Sequence, residues 1–202
     1  MTGLRVWLVV ALGLVLGTVQ GTGVRAQDGG SAAMLDTLFA KLQAATDPAA
    51  IQALEAAIWE QWTLAPEGPQ RQMMGRGIAE MQQRQFREAV ETFTRLIALA
   101  PELSEAWNKR ATVYWLMGDF RASLSDICET LKREPRHFGA YSGLGMIRSE
   151  QGEYPRAVAA FERARRYNPH IPGIDDEIDR LKALGGDKPA DPLGCDQRTA
   201  GR

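Results

Sequence analysis

SEAWNKRATVYWLMGDFRASLSDICETLKREPRH (residues 104–137) is followed without a break by FGAYSGLGMIRSEQGEYPRAVAAFERARRYNPHI (residues 138–171). Laid one over the other, the two stretches put Trp107 on Tyr141, Phe120 on Tyr154, Ser123 on Ala157, Ile127 on Phe161 and Pro135 on Pro169. A further step of 34 residues upstream reaches Met73, Phe86, Ala89, Phe93 and Pro101. Five positions holding one register through three copies define a repeat, with copies at 70–103, 104–137 and 138–171.

Each copy reads as two helices joined by a tight turn. In the middle copy Trp107, Ala111, Tyr114 and Trp115 recur at helical spacing before Gly118-Asp119 interrupts the pattern. A second stripe follows at Phe120, Leu124, Ile127 and Leu131 and stops at Pro135, a residue that cannot donate the next helical hydrogen bond. The third copy does the same through Tyr141, Leu144, Gly152-Glu153, Val158 and Phe161 to Pro169.

This pattern resembles the tetratricopeptide repeat (TPR) family, whose unit carries Trp, Leu-Gly, Tyr, Ala-x3-Phe and Pro in that order. Copy two has Trp107 and Tyr114 but puts Arg110-Ala111 where Leu-Gly belongs. Copy three has Leu144-Gly145, Ala157, Phe161 and Pro169, with Tyr141 for the Trp and Arg148 for the Tyr. Copy one matches at Gly77, Ala89, Phe93 and Pro101. The resemblance implies an all-α, right-handed TPR-like α-solenoid of helix-turn-helix repeats. It does not choose among the roles that such a fold serves.

A stack of repeats leaves an apolar face open at each end, which predicts caps. At the C-terminal end, residues 172–185 carry Ile174, Ile178, Leu181 and Leu184 as one stripe, with acids first, bases late and Gly185 last. That order suits the helix dipole and predicts a capping helix. From 186 to 202 the chain is rich in Pro and Gly and lacks periodicity, which predicts a disordered tail. Upstream, residues 27–69 hold a stripe at Leu35, Leu38, Phe39 and Leu42, then Asp47-Pro48 as N-cap and first-turn proline, then Ile51, Leu54, Ile58 and Trp62. This predicts a divergent helical hairpin, docked on copy one, with Ala65 to Pro69 as its linker.

The first 26 residues read as a secretory signal peptide. Arg5 precedes 14 uncharged, largely apolar residues (6–19), then a Gly-rich break and Val24-Arg25-Ala26. The run is short for a membrane span. Cleavage after Ala26 predicts a periplasmic or secreted protein without stable membrane insertion; the alternative is an uncleaved anchor. The leader holds two of the 24 basic residues and none of the 25 acidic ones. Such a balance gives no global pull toward nucleic acid or anionic lipid. The two cysteines, Cys128 and Cys195, form no CxxC pair and no disulfide framework. Two unpaired thiols are the expectation, with a Cys128–Cys195 bond as the alternative.

No catalytic constellation is present in the sequence, and no cofactor or metal is expected: no phosphate loop, nucleophile elbow or His-Glu-x-x-His occurs. His137 and His170 each lie within two residues of a repeat-ending proline and read as loop residues. Binding is the better expectation. In TPR-like stacks the first helices line a concave groove, and the resemblance assigns Met74, Ile78, Met81, Asn108, Thr112, Trp115, Met146 and Ser149 to it. The same face carries Glu105 and Gly139. Thioethers and a Trp suit adaptable contact with an apolar or amphipathic peptide. The alternative is that some of them pack between repeats or under the hairpin.

Some TPR domains hold a C-terminal carboxylate with a Lys/Asn/Arg clamp on this face. The corresponding positions here are Met74, Ile78, Asn108, Thr112, Gly139 and Gly143, of which Asn108 alone matches, so that mechanism is disfavoured. Arg76 and Arg110 replace the family's Leu between paired helices, and Asp126 is the expected partner of Arg110. Lys132, Arg133, Arg136, Arg163, Arg165 and Arg166 crowd the ends of second helices and read mainly as solvated cations. The sequence therefore predicts a non-catalytic protein–protein adaptor that holds a partner segment in its groove. The alternatives are a self-associating scaffold, or an accessory subunit of an envelope enzyme complex.

Overall fold

The computed structural model describes residues 27–64, 68–186, 188 and 190–191. The apolar leader, three residues of the first linker (65–67), most of the expected tail and Cys195 lie outside these. Among the described residues every regular element is a helix. A hairpin comes first, α1 (Gln27–Ala44) and α2 (Pro48–Thr63). Three pairs follow: α3 (Pro69–Gln82) with α4 (Phe86–Leu99), α5 (Ser104–Leu116) with α6 (Phe120–Arg133), and α7 (Phe138–Glu150) with α8 (Tyr154–Tyr167). Helix α9 (Ile174–Leu181) ends the stack through a wider turn at Lys182–Gly186.

Within each pair a small residue on the first helix faces a large one on the second. A β-carbon at Gly77 would stand 2.7 Å from the Phe93 ring, and one at Gly145 would stand 2.7 Å from Phe161. Those contacts are shorter than real side chains tolerate, so glycine sets how closely the helices approach. In the middle pair Ala111 takes the glycine position and the smaller Ile127 takes the phenylalanine position, both buried. The larger first partner is thus matched by a smaller second one, which keeps the interface filled.

The turn inside each pair needs one residue in the left-handed region. Gly118 (φ 79°) and Gly152 (φ 74°) supply it in pairs two and three. Pair one has Arg84 there, at φ 63°, a conformation that costs an L-residue roughly 1–2 kcal/mol. Pro101, Pro135 and Pro169 follow the ends of α4, α6 and α8, as the spacing predicts.

The predicted Arg110–Asp126 pair forms as a two-pronged contact. Arg110 Nε and Nη2 donate to the two Asp126 carboxylate oxygens at 2.7 and 2.8 Å, and Nη1 reaches Thr94 Oγ1 at 2.9 Å. Arg76 departs from the expectation. It lies out in solvent and pairs within its own helix with Glu80, which also accepts from Thr92 Oγ1 at 2.6 Å. On α9, Ile174, Ile178 and Leu181 are buried against the stack, whereas Leu184 is left exposed beyond the helix end. Cys128 is in a disulfide rather than free, against the expectation of unpaired thiols.

The hairpin corrects a larger expectation. It does not dock on the first repeat. Met74, Ala89, Phe93, Leu96, Ile97, Ala106 and Val113 form a core of their own that contains no hairpin residue. Leu35, Phe39, Leu42, Ile58 and Trp62 instead join Phe138, Tyr141, Leu144 and Phe161 in a second core. The hairpin passes over its neighbour in sequence and seats on repeats two and three. The reason is aromatic surface: Phe138 and Tyr167 offer edge-on partners for Phe39, at 6.4 Å each.

Candidate functional site

The first helices of the pairs carry the candidate groove, and the structure divides it. At its N-terminal edge, the early residues of α5 and α7 are covered by α2. The tip of Trp59 lies over Gly139, where a β-carbon would be 2.6 Å from the indole. Lys109 Nζ sits 5.3 Å from the Trp59 ring centroid. Trp62 stacks on His137, with ring centroids 4.0 Å apart and planes 12° from parallel. Farther along the same helices Ile78, Met81, Thr112, Trp115, Met146 and Ser149 are half-buried, and Leu116 and Met117 are exposed.

Two of the eight candidate residues are not available where the sequence placed them. Met74 retains 2% of its exposure and is a member of the first core, because its side chain fills the space between α3 and α4. Asn108 is buried and donates from Nδ2 to Glu105 Oε2 at 3.0 Å. Of the rest, Trp115 and Met146 pack along the second core, while Ile78 and Met81 pack along the first. Thr112 donates its hydroxyl back to the Asn108 carbonyl at 2.9 Å. Ser149 Oγ accepts from Arg180 of α9 at 3.4 Å.

Beneath α2 lies a buried charge cluster. Glu105 has no exposed surface; Lys109 Nζ is 2.9 Å from its Oε1 and His137 Nε2 is 2.8 Å from its Oε2. His137 Nδ1 accepts from the Ala140 backbone N–H at 3.1 Å and so caps α7. An imidazole nitrogen that accepts carries no proton, which leaves Nε2–H as the donor to Glu105. Burial alone would push the Glu105 carboxyl up. The positive charge of Lys109 and the hydrogen bond from His137 outweigh it and hold the pKa down at about 2.

Both histidines lie between helices, as the sequence predicts, and each also makes a bond across elements. His137 links two repeats and a hairpin tryptophan, and His170 Nε2 is 2.9 Å from the Leu42 carbonyl at the end of α1. The remaining hairpin contacts lie at the rim. Asn168 Nδ2 donates to Glu55 at 2.6 Å, Gln43 to the Arg166 carbonyl at 3.2 Å, and Arg136 pairs with Asp36 while lying over the Phe39 ring. Much of the basic cluster at the second-helix ends is paired in this way: Lys132 and Arg133 with Glu129, and Arg165 with Asp175.

Trp59, Lys109 and His137 are the residues of this face that sequence reasoning did not assign to it. The available signal was Trp59 and Trp62, three apart on one helix, together with glycine in the first turn of α7. Among the described residues no group of three His, Cys, Asp or Glu side chains is placed to hold a metal ion. No described helix is long and apolar enough to cross a membrane.

The family model described as tetratricopeptide repeat matches residues 74–117 and again 108–171. A TPR repeat-containing protein of Rhizobium etli is 34% identical over 155 residues, 76% of this chain and 76% of its own. A heat-shock protein cognate co-chaperone of Aspergillus fumigatus is 24% identical over 99 residues, 49% of this chain but 29% of its own length. Among solved structures, the first TPR of Spaghetti (RPAP3), bound to an HSP90 peptide, superposes with a TM-score of 0.55 at 20% identity and covers 57% of this chain and 93% of that one. The Sgt2 TPR domain from Aspergillus fumigatus gives 0.54 at 21%, covering 63% and 89%. At those identities the two structures speak for the fold alone. From the matched repeats, the Rhizobium relative and the three helix pairs, two of them closed by a glycine-to-phenylalanine contact, the chain belongs to the tetratricopeptide repeat family.

Proposed function

We propose that this protein is a non-catalytic adaptor that holds an apolar or amphipathic segment of a partner protein along the open half of its first-helix face, in the periplasm or outside the cell. The observation that carries the reading is the row of half-buried apolar side chains, Ile78, Met81, Trp115 and Met146, continued by exposed Leu116 and Met117. A face with no partner to meet gains nothing from keeping a Trp and several thioethers in reach of solvent. Related TPR structures hold HSP90 and HSP70 peptides, which supports recognition of a peptide segment in general. It does not extend to a carboxylate clamp. Asn108, the one matching residue, is buried and bonded to Glu105, so its side chain is not free to meet a terminal carboxylate. Export is supported by the apolar run behind Arg5.

The test is crosslinking in cells, with a photoreactive residue in place of Trp115 and a control in place of exposed Arg163. A discrete heterologous adduct from 115 and none from 163 is the expected result. Adducts from both positions, only self-adducts, or none from 115 would overturn the reading. Intact-mass measurement of the protein recovered from cells, with fractionation of the envelope, tests the export: a chain beginning at Gln27 outside the cytoplasm is expected, one retaining residues 1–26 at the membrane would mean an uncleaved anchor, and a cytoplasmic chain would overturn the reading.

A further inference from the structure

Resting on the groove reading above, we infer that the α1–α2 hairpin is a displaceable occupant of the binding face. It sits where a partner helix carrying two large aromatic side chains three residues apart would otherwise bind. The seat shares a core with the third repeat through Leu35, Leu42 and Ile58, but its make-up also has the features of an interface. Its centre is aromatic, with Trp59 and Trp62 against His137 and Phe138 at 4.0 to 5.5 Å between centroids. Around it runs a polar rim of single contacts: Asp36 with Arg136, Glu55 with Asn168, Gln43 with the Arg166 carbonyl. Aromatic anchors inside a polar rim are how proteins grip separate partners.

The seat also lies on the face that the family uses for ligands. Trp59 covers Gly139 and reaches Lys109 on the first helices of repeats two and three, and the same stretch of α5 holds Glu105 and Asn108. Glycine in the first turn of α7 leaves space for an indole, since a β-carbon there would meet Trp59. The hairpin skips repeat one, whose core is closed without it. Displacement would uncover Glu105, Asn108, Lys109 and His137 and join them to the open apolar row. The result is a longer groove, apolar at one end and charged at the other. A segment that supplies its own pair of aromatics replaces what the hairpin gives up, whereas an apolar segment without them does not.

Hydrogen exchange on the full chain tests the mobility, with Gly139→Ala and Arg136→Ala as two independent ways to loosen the seat. The expected result is that α1 and α2 amides exchange about tenfold faster or more in Gly139→Ala, with a smaller change in Arg136→Ala, while α4, α6 and α8 keep wild-type rates. Competition is tested with a labelled synthetic peptide of residues 47–64 added to the full chain and to full-length Trp59→Ala/Trp62→Ala. Binding at least about tenfold tighter to the double variant is expected, because its own hairpin no longer competes. Acceleration of hairpin and repeats together, or equal peptide affinity for both chains, or no binding to either, would overturn the inference. An adduct at position 115 would be unaffected by such a failure, which separates it from a failure of the adaptor reading.

Discussion

The buried Glu105 carboxylate should make the acid stability of this protein depend on one residue. Its pKa falls from 4.5 in the unfolded chain to about 2 in the folded protein. Between those values the unfolded chain binds more protons than the folded one, so stability rises with pH across that window and is lost as the solution is acidified toward pH 2. At about 1.4 kcal/mol per pH unit, the full contribution above pH 4.5 is roughly 3 kcal/mol. Glu105→Gln keeps the size and one acceptor for His137 Nε2–H but removes the charge that faces Lys109. The variant should be less stable than wild type by roughly 3 kcal/mol at neutral pH, and the difference should shrink toward zero near pH 2. The assay is urea unfolding followed by circular dichroism at a series of pH values from 7 to 2, with tryptophan emission as a second probe, since Trp62 stacks on His137 beside the cluster. Parallel stability curves for the two proteins between pH 4.5 and pH 2 would refute the assignment of a depressed carboxyl to Glu105.

Three further outcomes follow from the repeats themselves. Arg84→Gly should raise stability by about 0.5–1 kcal/mol, because relief of the left-handed arginine exceeds the added freedom of the unfolded chain; an unchanged or lower melting temperature would mean the turn is not strained. Gly145→Ala should cost about 1–2 kcal/mol as the new methyl meets Phe161, and the cost should be smaller in a Phe161→Ile background, which copies the Ala111 and Ile127 match of repeat two; equal costs in both backgrounds would show that the ring is not the obstacle. Arg110→Leu should destabilise by about 3–5 kcal/mol because Asp126 is left buried and unpaired, while Arg110→Leu/Asp126→Leu should return to wild-type stability or above; a neutral single variant, read by thermal unfolding, would mean the ion pair is not formed in solution.

The repeat architecture was legible because it rests on local rules. Spacing of 34 residues, glycine at turns, proline after second helices and apolar stripes each act within one repeat, and all agree with one another. Even the Arg110–Asp126 pair could be read, since both partners occupy fixed positions of one helix pair. The candidate face was legible in part. Position in a repeat says which residues point toward the groove, but not what covers them. Met74 failed because a thioether at that position fits equally well between helices. Asn108 and Glu105 failed for a different reason: their surroundings are made by α2 and by the start of α7. Sequence order placed the hairpin beside repeat one, and nothing local announces that its tryptophans match an imidazole and a glycine more than 70 residues away.

That long reach has a consequence for how the molecule is made. Solenoids ordinarily assemble from neighbour to neighbour, each repeat finding its support as soon as the next one forms. Here α1 and α2 are complete early in synthesis, yet their seat needs Glu134, His137 and Phe138, and finally Asn168 and His170, the last bonded to Leu42 across 128 residues of chain. Until the third repeat exists, the hairpin must wait with Phe39, Ile58 and Trp62 unburied. The hairpin is therefore translated before the repeats but finished after them, and its docking reports that the third repeat has formed.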